Sequence, residues 1–213
     1  MNEFLEPPIF EYVDSHSDSE SKILKELYRE THLNILNTRM LCSRYQGRVL
    51  SLISKILQPK KVLEIGTYTG YSAICFAEGL SKNGLIHTID MNEELIAIQN
   101  KFFEKSGFRK NIKQHTGNAL KIIPTLKDKF DLVYLDADKE NYIKYFNLII
   151  DKIIPGGLLL SDNVLWSGKV VEKTNDDFIT NELIEFNKML KNDSRINTVI
   201  LPIRDGLTIS RKN

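Results

Sequence analysis

Residues 61–72, KVLEIGTYTGYS, decide the fold class. Val62, Leu63 and Ile65 form a short apolar run rich in β-branched residues. Gly66 and Gly70 interrupt it, and Ile74, Cys75, Ala77 and Leu80 then recur at helical spacing. The pattern reads as strand, tight turn, helix. At the carboxyl end of a parallel strand, such a turn binds nucleotide-like ligands, because glycines let the backbone approach and the helix start offers free N–H groups.

Gly66 and Gly70 lie four apart, which matches neither G-x-G-x-x-G nor a Walker loop, and no Lys-Ser/Thr pair follows Gly70. Glu64, two residues before Gly66, would repel a pyrophosphate and could hold a cationic ligand. S-adenosylmethionine, with its ammonium and sulfonium groups, is one such ligand. A solvated strand end is the other reading of Glu64, and the turn alone does not choose between them.

Outward from this turn, strands and helices alternate. Strands are expected at 61–65, 85–90, 112–116, 130–136 and 157–161, with helices near 70–81, 92–106, 118–125, 139–153 and 178–191. This predicts an α/β fold with a doubly wound, mostly parallel sheet. Asn197 to Pro202 and Leu207 to Ser210, joined by Arg204-Asp205-Gly206, close it as an antiparallel hairpin. Upstream, residues 1–19 read as an irregular arm because of Pro7-Pro8 and a Ser/Asp-rich segment. Amphipathic helices follow at Glu20 to Leu36 and Tyr45 to Leu57, with Pro59 as the stop. With 213 residues the chain fits one domain, divided into an N-terminal arm with helices (1–58) and a binding core (59–213).

The 29 basic and 28 acidic residues nearly cancel, which argues against a nucleic-acid or membrane-surface protein. The first residues lack a basic start followed by an apolar core, and no run approaches the ~18 apolar residues of a membrane span. A soluble, cytoplasmic protein is expected. Cys42 and Cys75 form no ligand-like pair and are expected as free thiols.

Carboxylates fall at the strand ends. Asp90 closes LIHTID, 24 residues after Gly66, where an acid accepts hydrogen bonds from ribose hydroxyls. Asn118, in TGNA, caps the next helix or sits beside an adenine. Asp136 ends FDLVYLD, and Asp162 and Asn163 end GGLLLSDN. If these two strands are neighbours, three hard oxygen donors converge, a set that suits Mg²⁺, Mn²⁺ or Ca²⁺ better than zinc or copper. Each acid could instead cap a turn or helix. Lys139, three residues after Asp136, could take a proton from a hydroxyl whose acidity such a cation raises.

Together, MLCSRYQGRVL, VLEIGTYTGYSA, TID, TGNAL, LDADKENY, SDNVLWSG and DGLTIS resemble the cation-dependent, S-adenosylmethionine-dependent O-methyltransferases, the group containing the caffeoyl-coenzyme A and catechol enzymes. The resemblance implies a Rossmann-like methyltransferase sheet. It implies a cofactor site lined by Met40, Glu64, Gly66, Thr67, Tyr68, Ser72, Asp90, Asn118, Ala119 and Asp136, with Glu64 near the methionine portion. The metal would be held by Asp136, Asp162 and Asn163, with Lys139 as general base. Tyr142, Trp166 and Arg44 would shape the substrate pocket beside Lys139. Members usually dimerise, and their N-terminal segment often helps cover the site. The expected substrate is a catechol-like vicinal diol, with a tRNA hydroxyuridine, the target of some bacterial members, as the alternative. The chain departs from the family at Cys42, in the N-terminal arm and at Arg204, where many members have glycine. Arg204 reads as a surface turn residue or as an attractor of a substrate carboxylate.

Overall fold

A computed structural model describes residues 6–172 and 177–213. Among the described residues, three α-helices precede the first strand: α1 (Pro7–Ser15), α2 (Lys22–Asn34) and α3 (Arg44–Leu57). Ser21 and Ser43 cap α2 and α3 by accepting from the backbone N–H of Leu24 and Gln46, which fixes where each helix starts. α1 corrects the irregular reading of the arm. Pro7 and Pro8 occupy its first turn, where a proline loses no helical hydrogen bond and its fixed φ suits the helix.

The core then alternates as expected, in the order β1 (Lys61–Ile65), α4 (Tyr71–Ala77), β2 (Leu85–Asp90), α5 (Ile96–Lys105), β3 (Ile112–Thr116), α6 (Ala119–Ile122) and β4 (Phe130–Leu135). α7 (Tyr142–Ile149), β5 (Ile153–Asp162), α8 (Phe178–Asn192), β6 (Ile196–Leu201) and β7 (Leu207–Lys212) complete it. The seven strands are ordered β3-β2-β1-β4-β5-β7-β6, with β7 antiparallel to both neighbours and the β1 to β5 pairs parallel. This is a Rossmann-like sheet with its order reversing between β1 and β4, the switch point at which α/β folds place ligands.

Helices α4, α5 and α7 are each several residues shorter than expected, and two further boundaries differ for local reasons. α6 is one turn that passes into a 3-10 turn at Ile123–Thr125, because Pro124 cannot donate to the helix. β5 begins at Ile153, four residues early. Pro155-Gly156-Gly157 reads as a breaker but is accommodated as a bulge, where the register jumps from Phe130↔Ile153 to Leu132↔Leu158.

Apolar side chains pack on both sheet faces. Leu24, Leu27 and Leu50 from the N-terminal helices join Ile74, Phe76, Phe102 and Phe103 over one face, while Phe146, Ile149, Leu183 and Phe186 cover the other. α2 and α3 thus have the packing role their periodicity predicts. Both cysteines are free and buried. Among the described residues, no helix is long and apolar enough to cross a membrane.

Candidate active site

Gly66 and Gly70 shape the turn after β1, with φ of 102° and 91°. A Cβ on Gly66 would overlap the backbone carbonyl oxygen of Asp136 at the end of β4, so glycine brings the two strand ends into contact. The turn is held from β2. Asp90 Oδ2 accepts from the backbone N–H of Thr67 (3.1 Å) and Tyr68 (2.6 Å), and its Oδ1 accepts from Asn92 N–H at 2.8 Å. Tyr68 sits at a positive φ of 48°. Its carbonyl accepts from Gln99 Nε2 (2.7 Å), and its hydroxyl donates to the carbonyl of Leu36 at 3.0 Å.

Glu64 is completely buried, which excludes the solvated reading. Its Oε1 accepts from Ser72 Oγ at 2.6 Å and its Oε2 from Thr88 Oγ1 at 2.5 Å; Thr88 in turn meets the Thr67 hydroxyl. Burial outweighs these two donors and pushes the carboxyl up to about 8, with Asp136 and Asp90 adding in the same direction. A cationic ligand against this wall would return the group to its ionised form. Asn118 caps α6 by accepting from Leu120 N–H at 2.8 Å, and Ala119 is buried beside it. Met40 ends a 3-10 turn (Thr38–Met40) and is largely exposed.

β4 and β5 are parallel neighbours, Leu135 pairing with Ser161, so Asp136 and Asp162 emerge side by side. Asp162 is buried. Its Oδ2 accepts from Gln46 Nε2 (2.7 Å) and Tyr134 Oη (2.9 Å), and its Oδ1 from Asn163 N–H at 2.8 Å. Burial and the neighbouring charge of Asp136 push the Asp162 carboxyl up. Asn163 follows at a positive φ of 57°, a conformation asparagine tolerates better than most residues. Lys139 Nζ donates to Asp136 Oδ1 at 2.9 Å and to Tyr142 Oη at 2.7 Å. Among the described residues, no group of three His, Cys, Asp or Glu side chains is gathered for a metal. The expected donor set contains two such residues and an amide. Two neighbouring carboxylates, one of them buried and raised by the other, are donor chemistry that would fit a hard divalent cation.

Of the remaining expected residues, Tyr142 joins this centre, whereas the contacts of Trp166 and Arg44 lie elsewhere. Tyr142 is buried, its hydroxyl donating to the carbonyls of Leu135 (3.2 Å) and Asp162 (3.0 Å), so it braces the two strand ends and Lys139. Trp166 lies in the loop after β5 at a φ of 47°, packed against the core under α8. Arg44 forms an ion pair with Asp14, its Nε donating to Oδ1 at 3.3 Å, and so fastens α1 to α3. Two partners of Asp162 are missing from the sequence reading. Gln46 is a polar residue on the buried stripe of α3, a recognisable signal. Tyr134 sits within an apolar strand, and nothing marks it.

A sequence description of the O-methyltransferase family matches residues 14–213. The chain belongs to the cation-dependent, S-adenosylmethionine-dependent O-methyltransferases. It is 35% identical over 203 residues to caffeoyl-CoA O-methyltransferase 5 of Nicotiana tabacum, an alignment covering 90% of this chain and 83% of that protein. A caffeoyl-CoA O-methyltransferase of Petroselinum crispum is also 35% identical, over 91% of this chain and 85% of its own. Among solved structures, an SAH-bound methyltransferase of Podospora anserina superposes with a TM-score of 0.89 at 29% identity, covering 97% of this chain and 94% of that one. An O-methyltransferase of Bacillus cereus in complex with SAH gives 0.89 at 26% identity, covering 97% of each. The methyltransferase therefore takes its methyl group from S-adenosylmethionine, and its fold is the one its β-α alternation predicts.

Proposed function

We propose that the methyltransferase transfers the methyl group to one hydroxyl of a catechol-like vicinal diol, with a divalent cation, Mg²⁺ ahead of Mn²⁺ or Ca²⁺, held by Asp136, Asp162 and Asn163. The observation that carries this reading is the side-by-side emergence of Asp136 and Asp162, with Lys139 Nζ 2.9 Å from Asp136. A cation there would bring both diol oxygens together and raise the acidity of the attacked one.

The chain's own residues supply the rest. The Gly66–Gly70 turn, Asp90 and Asn118 seat the donor, with Asp90 toward the ribose and Glu64 and Ser72 toward the methionine end. Lys139 takes the hydroxyl proton. The new O–CH₃ bond forms as the S–CH₃ bond breaks, and the sulfur keeps that electron pair and leaves as the neutral thioether. Alignment of the two partners carries much of the acceleration. No covalent enzyme intermediate is needed.

The test is incubation with labelled S-adenosylmethionine, with and without Mg²⁺ and a chelator, against a panel of catechols and against unmodified and hydroxyuridine-containing tRNA. Labelled catechol that disappears with the chelator is the expected result. Full activity in the chelator refutes the cation, and label appearing only in hydroxyuridine-containing tRNA replaces the diol with the nucleic-acid substrate.

A further inference from the structure

Arg204 neither points freely into solvent nor waits for a substrate carboxylate. It sits in the β6–β7 turn at a φ of 52°, a conformation better suited to glycine or asparagine. Strain of this kind persists where surrounding contacts impose it. Its Nη1 donates to the carbonyl of Leu41 at 2.8 Å and to Gln46 Oε1 at 3.4 Å, and its Nη2 donates to the carbonyl of Arg39 at 2.6 Å. The same turn holds the loop after β5: Asp205 O accepts from Leu165 N–H at 2.9 Å, and Asp205 Oδ1 accepts from Ser167 N–H at 2.5 Å. A Cβ on Gly206 would overlap Leu165.

Gln46 is completely buried, with its amide between two groups of fixed hydrogen-bonding sense. A carboxylate only accepts and a guanidinium only donates. The amide therefore turns Nε2 to Asp162 and Oε1 to Arg204; reversed, it would set lone pairs against the carboxylate and N–H groups against the guanidinium.

We propose that Arg204 is a positioning residue for the methyltransferase, orienting the Asp162 carboxylate through the Gln46 amide while pinning the Arg39–Leu41 segment beside it. This rests on the reading of Asp162 as a cation ligand. Partners behind a metal ligand commonly contribute ten- to hundredfold in metal affinity.

The test is Mn²⁺ titration by calorimetry of the full chain and of Arg204→Gly, Gln46→Leu and the double variant, with thermal unfolding in parallel. Glycine suits the backbone at position 204, so Arg204→Gly removes the side chain without straining the turn. We expect its Mn²⁺ Kd to rise about tenfold or more, and the double variant to bind no more weakly than Gln46→Leu alone. An unchanged Kd in Arg204→Gly overturns the inference, whatever its melting temperature. Effects that add in the double variant overturn the route through Gln46. Wild-type chain that binds no Mn²⁺ overturns the cation reading and this inference with it, a result distinct from wild-type binding that the variants leave unaltered.

Discussion

Replacing Glu64 by glutamine should make the cofactor-free chain more stable, and by an amount that depends on pH. The ordinary carboxyl value of 4.5 rises to about 8 in the folded chain, because no water reaches the group and two hydroxyl donors do not compensate. Between these values the unfolded chain has released the proton and the folded chain retains it. The contribution of Glu64 is therefore most favourable below pH 4.5 and is lost as pH rises through 8. The full span corresponds to about 5 kcal/mol, of which roughly 3 kcal/mol has been lost by pH 7. Glutamine has the same shape and no charge, and the rotatable Ser72 and Thr88 hydroxyls can each serve its amide. Urea unfolding of the two proteins from pH 5 to 9, without cofactor, should show a stability difference that is near its minimum at pH 5 and grows by several kcal/mol. Groups common to both proteins cancel in that difference. A difference independent of pH would refute the assignment of a protonated, desolvated carboxyl at this position.

Asp162→Ala should lower catechol turnover at least a hundredfold while calorimetry shows cofactor binding within a fewfold of wild type; retained turnover counts against the cation site. Lys139→Ala should reduce kcat by roughly 10²- to 10⁴-fold with little change in cofactor affinity, and an unchanged kcat removes Lys139 from the base role. Gly66→Ala should destabilise the chain by more than about 3 kcal/mol or prevent folding, since its Cβ has no room beside the Asp136 carbonyl; a melting temperature within a few degrees of wild type contradicts that contact. His87, stacked on His115 and facing Asp128 with Lys61 and Lys113 nearby, is pushed down to about 4 by burial. Its contribution is present above pH 6.5 and is lost as pH falls toward 4, up to about 3 kcal/mol, so His87→Gln should blunt acid unfolding in a circular-dichroism titration.

Much of the sheet was legible because most core strands are short apolar runs bounded by Gly, Pro, Asn or Asp. The strand-end acids were legible because parallel strands deliver their last residues to one edge. Elements whose signal is ambiguous locally were harder. Pro7-Pro8 reads as a break, yet the same restriction on φ favours a first helical turn. Pro155-Gly156-Gly157 reads as a stop but becomes a bulge once β4 supplies a partner. The support behind Asp162 lies further out of reach. Gln46 is 116 residues away in sequence and Tyr134 is 28, and only folding brings them to one carboxylate. The partners of Arg204 were out of reach for the same reason, since its three acceptors belong to a segment about 160 residues earlier.

The backbone contact between Gly66 and Asp136 bears on how this scaffold could be redesigned. The donor turn and the acid at the end of β4 touch through main-chain atoms, with no side chain between them to enlarge or trim. Their spacing is thus a constant of the architecture. A new acceptor would have to be accommodated from the periphery, by recutting α1 and its Asp14–Arg44 fastening or the loop carrying Trp166. Libraries confined to those segments leave the transfer geometry intact, whereas any that include position 66 would spend most of their members on chains that do not fold.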